Sequence, residues 1–255
     1  VIEYGSMELA LARVQSRHGQ RAGDMAWQRL ETARELGLLL DAARASALRP
    51  WVAGITAHAS ASEIEAVLRA HWRTLVAEVA GWMPPPWRPA LDWCAVQPLL
   101  PALQHLARGG EPAAWMHDDP DLRALCGVPL SDRPKVLAAG RWGALAGAWA
   151  APDAIAQAWR AEWERRLPQP LAASDESLRL LAAALSSHNA AFAVAPPGPG
   201  GLLRQSLQAR LSLLLRRATL EPATAFIHIA LCALDLERLR GELLRRALFA
   251  KAGVA

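Results

Sequence analysis

Apolar residues recur along most of this chain at intervals of three and four, the spacing of one face of an α-helix. The longest such stretch closes the sequence. Phe226, Ile229, Leu231, Leu234, Leu236, Leu239, Leu243, Leu244 and Leu248 fall at helical spacing, with acids and arginines between them. The pattern predicts a helix over 222–250 that packs on one side and shows acid and arginine on the other. A second long helix is expected just before it, over 202–220.

Earlier helices follow the same logic. One is expected over 7–18 and another over 24–47, with Asp24 as N-cap and Trp27, Leu30, Ala33, Leu36, Leu40 and Ala43 as its stripe. Pro50 stops it, because the residue before a proline avoids the helical region. Ser60 and Glu63 stand at capping-box spacing and open a helix whose apolar positions Ile64, Val67, Leu68, Trp72, Leu75, Val76 and Val79 lead to Trp82. Met83-Pro-Pro-Pro-Trp87 then breaks the chain, and two short helices are expected over 89–96 and 98–107. Residues 109–133 read as loop with one turn near Leu122–Leu125, and 135–149 as a glycine-interrupted helix. Asp153 caps a helix over 154–167 with Ile155, Trp159 and Trp163 as a seam; Ser174 caps the next, to His188. Residues 195–201, rich in proline and glycine, form the last break.

Composition agrees with an all-α fold. Apolar residues make up 53% of 255, dominated by Ala and Leu, which favour helices, while the β-branched residues that strands need are scarce. The breaks near 83–89 and 168–174 divide the chain into three helical modules, 7–83, 84–169 and 170–255. Blocks of about 80 residues bury too little surface to stand alone, so they are expected to pack together. Residues 1–6, ending Gly5-Ser6 before Met7, read as an expression remnant.

Charge and chemistry change the picture less. From Gly201 onward nine basic residues stand against four acids, while the remainder is near neutral. No nucleic-acid motif accompanies the surplus, and the arginines read as a solvated helix face, with no nucleic acid expected as partner. Three scattered cysteines suit a reducing cytosol, and no apolar run is long enough to span a bilayer. Seven histidines include no HExxH and no pair at i, i+4. His117-Asp118-Asp119 is the densest set of possible metal ligands, and Asp-Asp-Pro is equally an ordinary loop and helix-start signal. Asp92 and His105 lie either side of the proline break with no placed nucleophile, and Cys94 beside Trp93 reads as a small buried hydrophobe. No phosphate-binding glycine loop is present. The residues therefore predict no catalytic site, no metal and no cofactor.

Two segments resemble a known family. Ser60-Ala-Ser-Glu-Ile-Glu-Ala-Val-Leu-Arg69, the long helix, the proline break, Arg88-Pro-Ala-Leu-Asp92 and Leu99-Leu-Pro-Ala-Leu-Gln-His-Leu-Ala-Arg108 resemble one recurring module. It is the module of the C-type subunit of archaeal and bacterial V/A-type ATPases and of the d-type subunit of the vacuolar ATPase. The family's last helix typically reads acid-apolar-x-Asn-apolar-Arg. Asp235-Leu-Glu-Arg-Leu-Arg240 is similar, with Arg238 in the asparagine place, and Pro222-Ala-Thr-Ala-Phe226 precedes it. The resemblance implies three similar helical modules in one funnel-like or curved bundle, acting as a non-catalytic socket between a membrane rotor ring and a central shaft.

The expected function is thus that of a coupling or assembly component, cytoplasmic and peripheral to a membrane through a protein partner. Arg238, Arg240, Arg245 and Arg246 are the expected contacts on the last helix. Trp82, Met83 and Trp87 are the others, since a rigid proline turn can hold such side chains outward. Two alternatives stay open: a stand-alone helical accessory or chaperone-like protein, and an all-α ligand-binder or enzyme with a pocket converging on His105, His117 and Asp118. Across the eleven tryptophans, filling gaps between alanine-rich helices is the expected role.

Overall fold

A computed structural model describes residues 2–169, 175–196, 198, 200–218 and 220–249, with side chains from Gly5 onward. The fold is all-α, as expected, and no strand occurs among the described residues. In chain order the helices are α1 (Ile2–Gly19), α2 (Asp24–Thr32), α3 (Leu36–Arg44), α4 (Ala61–Trp82), α5 (Arg88–Trp93), α6 (Leu100–Ala107), α7 (Ala114–Asp118), α8 (Arg123–Cys126), α9 (Arg133–Ala139), α10 (Ile155–Arg166), α11 (Glu176–Val194), α12 (Gly200–Arg217) and α13 (Ala223–Phe249). Short 3-10 segments fill the proline- and glycine-rich joints, at Arg49–Val52, Pro85–Trp87, Cys94–Leu99, Gly143–Ala148 and Pro152–Ala154.

The α4 start follows the capping box: the Ser60 amide donates to Glu63 Oε2 (2.6 Å), and the Glu63 amide to Ser60 Oγ (3.2 Å). Two orphan donors of the first turn are thereby satisfied. Other boundaries differ from the sequence expectation. The first helix takes in residues 2–6, which the sequence suggests to be a remnant. Gly23, not Asp24, occupies the N-cap of α2. Asp175 caps α11 by accepting from the Leu178 amide at 3.0 Å, while Ser174 lies outside the described residues, and the helix continues past His188 to Val194. The helix expected over 135–149 ends as α9 at Ala139, and 3-10 turns replace its glycine-rich half. The helix expected over 24–47 is two, parted at Ala33–Glu35, where the backbone turns extended.

The residues group into two compact units, each assembled from separate stretches of chain. The first contains the described residues of 2–21, 75–92 and 167–239. Its centre is the start of α13, where ten successive residues from Ala223 to Cys232 are all buried. A helix apolar on every side belongs inside a core. Leu11, Val14, Val79, Met83, Leu91, Leu181 and Leu211 supply further core residues of the same unit. The Trp87 ring lies 6.2 Å from that of Phe226.

Of the described residues, the second unit contains 22–74, 93–166 and 240–249. Its core includes Trp27, Leu40, Ile64, Leu68, Trp72, Leu103, Leu122, Leu145 and Ile155. Tryptophans stitch its short helices together through their N–H groups. Trp72 Nε1 donates to the Cys94 carbonyl at 3.2 Å. Trp93 Nε1 donates to the Trp159 carbonyl (2.9 Å) and Trp159 Nε1 to the Trp93 carbonyl (3.2 Å), a reciprocal clasp between the end of α5 and α10. Arg166 lies over the Trp93 ring at 4.3 Å. No tryptophan is exposed among the described residues, and eight of the eleven are buried. Gap filling is therefore what these rings do.

Candidate interaction face

The arginines of α13 are largely occupied within the fold. Arg246 is buried at 5% exposure, and all five of its N–H donors have acceptors. Nε donates to the Ala33 carbonyl (2.6 Å) and one terminal nitrogen to the carbonyls of Leu30 (3.0 Å) and Glu31 (3.1 Å). The other terminal nitrogen donates to the Glu242 carbonyl (2.8 Å) and its Oε2 (2.6 Å). Arg246 therefore caps the C-terminus of α2, where the break at Ala33 leaves carbonyls without helical donors. This capping stabilises the break that parts the helix expected over 24–47. It also removes Arg246 from the set able to contact a partner.

Its neighbours are committed too. Arg240 donates through Nε to Glu65 Oε1 at 2.6 Å. Glu65 is buried and also accepts from Arg69 at 3.2 Å; Arg69 donates to the Pro98 carbonyl at 2.7 Å and lies 3.9 Å from the centre of the Trp115 ring. Arg245 pairs with Glu242 at 2.8 Å on the exposed side. Arg238 is half-buried, and its charge acts on Asp235.

The part of α13 that lies in the first unit carries a polar track inside the core. Asp235 and Arg21 form a two-pronged ion pair, Nε to Oδ2 at 2.7 Å and the terminal nitrogen to Oδ1 at 2.9 Å. Burial pushes the Asp235 carboxyl up from its ordinary value, and the Arg21 hydrogen bonds and charge pull it back. Two turns earlier, His228 is fully buried against His18, whose ring stands edge-on at 6.0 Å. Cys232 Sγ lies 3.7 Å from His228 Nε2. Burial holds the His228 ring neutral, its pKa lowered to about 3, with His18 and Arg21 adding to the shift. Burial likewise pushes the Cys232 thiol up to about 12, so it stays protonated and non-nucleophilic at neutral pH.

The proline turn points the other way from expectation. Met83 and Trp87 are turned into the core, at 0% and 4% exposure, because the chain after α4 folds back over its own end. Arg88 Nε closes that fold on the Met83 carbonyl at 2.8 Å. Trp82 is half-buried beneath Arg17, 6.0 Å from the ring centre. Met83 and Trp87 thus offer no surface.

The residues of the pocket alternative lie at the surface. His117 and Asp118 are exposed at the end of α7, while buried Asp119 accepts from the Asp121 amide at 2.9 Å and from Arg73 at 3.0 Å. That is the loop role of Asp-Asp-Pro: the turn it holds precedes α8, whose N-cap is Leu122. His105 is exposed, and its Nε2 meets the Glu111 carbonyl at 2.7 Å. A Cβ at Gly110 would lie 2.2 Å from this ring, so glycine is what lets the loop close there. Cys94 is buried, as expected, and Asp92 is exposed. Among the described residues no group of three or more His, Cys, Asp or Glu side chains could hold a metal ion, and no helix is long and apolar enough to cross a membrane.

An accessible face lies instead on α12, in the first unit. Leu207, Leu211, Leu214 and Leu215 turn inward. Leu202, Ser206, Ala209, Arg210, Leu213, Arg216 and Arg217 are exposed, most of them spaced by three and four residues, and exposed Leu220 follows the helix. Phe192 and Val194, at the end of α11, are exposed as well. The signal is present in the sequence: 200–217 holds four arginines and no acid, whereas 223–249 holds four arginines and three acids. A helix without acids cannot pair its arginines internally. Arg204 reaches across to α13, donating to Glu237 at 3.1 Å.

Comparison with models of known families, with curated proteins and with solved structures finds no match to this chain.

Proposed function

We propose that this protein is a non-catalytic helical component that docks on another protein, in the manner of the coupling socket of rotary ATPases. The observation that carries the reading is the α12 face, where Leu202 and Leu213 stand with Arg210 and Arg217 on the exposed side. Protein interfaces bury apolar side chains at their centre and are enriched in arginine. The interior supports the same reading. Two sets of its buried carboxylates, Glu65 with Arg69 and Arg240 and Asp235 with Arg21, are held in ion pairs within the fold. The socket role, the cytoplasmic location and the attachment to a membrane through a partner rest on the resemblance of 60–108 and 235–240 to the C-type and d-type components of those enzymes.

Affinity purification of the full chain from its source cells, read by mass spectrometry, tests the proposal. Recovery of rotary-ATPase proteins in fixed ratio is the expected result. A fixed-ratio partner from an unrelated complex would replace the coupling role with that of a helical accessory protein. Recovery of no partner would overturn docking itself.

A further inference from the structure

We infer that the outer face of α12 receives an acidic amphipathic helix of the partner protein, lying along the seam Leu202, Ala209 and Leu213. This rests on the docking role proposed above and adds where the partner binds and what its chemistry is. Within the helix the seam advances by seven and then four residues, the stepping that keeps one helix face against another. Ser206 and Ala209 between the leucines leave room for larger side chains of an incoming helix. Gly200–Arg217 is about 27 Å long at 1.5 Å per residue, enough for two to three heptads of contact.

Charge selects the partner. Arg210 and Arg217 are exposed along this face, and 200–217 contains no carboxylate to offset them. A helix with Glu or Asp beside its own leucines would place those acids next to Arg210 and Arg217, as in the flanking positions of a coiled coil. An anionic lipid surface fits less well. A membrane-surface helix needs one broad apolar face, and the larger apolar face of α12, Leu207, Leu211, Leu214 and Leu215, is already buried in the protein. Nucleic acid would use the arginines and leave the leucines without a role.

Benzoylphenylalanine incorporated at position 213 of the full chain, irradiated in lysate of the source cells, tests this directly, alongside sedimentation with vesicles of phosphatidylcholine and phosphatidylglycerol at about 3:1, enough anionic lipid to attract a basic helix. The expected crosslinked peptide comes from one protein and reads leucine at three- and four-residue spacing with acids between. Crosslinking should fall by about tenfold or more in an Arg210→Glu/Arg217→Glu background whose helical circular dichroism is unchanged. Crosslinks to phospholipid, pelleting with the vesicles, or a captured segment without acids would overturn the inference. So would a partner that co-purifies normally with the charge-reversed variant; that result leaves the docking role standing and moves the site elsewhere. A chain that captures no partner at all sinks both.

Discussion

The last two helices carry four arginines each but place two of them differently. In α13 acids are interleaved, and Arg240, Arg245 and Arg246 close on Glu65, Glu242 and the open end of α2. In α12 acids are missing, and Arg210 and Arg217 stand at the surface beside leucines. A guanidinium is therefore structural or available according to which carboxylates and orphan carbonyls lie within its reach. Arginine count along a sequence does not separate the two cases.

The buried start of α13 carries the largest expected effect, at His228 and through pH. In the unfolded chain a histidine takes up its proton near pH 6.5, whereas His228 in the fold resists it until about pH 3. The unfolded state therefore binds more protons across that window. The stability linked to His228 is fully present above pH 6.5 and is lost as pH falls toward 3, a change on the order of 5 kcal/mol. His228→Leu should flatten the unfolding free energy between pH 6.5 and 4 relative to the parent. Parallel pH curves for the two proteins would contradict the buried neutral histidine at the start of α13.

Arg246 comes next. Arg246→Ala strips donors from three carbonyls at the end of α2 and leaves Glu242 without its buried partner. The expected loss is about 3–5 kcal/mol in denaturant unfolding. Arg246→Lys restores a charge but not the five-donor fork, and should recover less than half. A loss under about 1 kcal/mol for the alanine variant would show that the cap is dispensable.

Arg245 sharpens the comparison inside α13 itself. Its pair with Glu242 is exposed, and exposed i, i+3 pairs contribute about 0.5 kcal/mol or less. Arg245→Ala should therefore shift the thermal midpoint barely at all, one residue away from the most heavily bonded arginine on the helix. A loss comparable to that of Arg246→Ala would mean that the whole last turn, not one buried guanidinium, anchors α2.

How much of this was legible in the sequence depended on how local its cause is. The α4 start was readable because Ser60 and Glu63 cap each other three residues apart. The break between α2 and α3 was not. The stripe Trp27, Leu30, Ala33, Leu36 runs through it without interruption, and what stabilises it is a side chain 213 residues further on. A one-sided α13 holds for its second half only: 223–232 contains no acid, arginine or lysine, the mark of a helix segment buried on every side. Met83 and Trp87 misled for a related reason: a proline turn fixes the chain's direction, not which side of it meets the core.

Charge reversal on α12 is the most direct trial of the account. Arg210→Glu/Arg217→Glu alters two exposed side chains, so its thermal midpoint should lie within about 2 °C of the parent. Its recovery of the partner in affinity purification should fall by about tenfold or more. Full recovery of the partner, or a midpoint depressed as far as that of Arg246→Ala, would contradict the claim that α12 holds Arg210 and Arg217 for a partner while α13 holds its arginines for the fold.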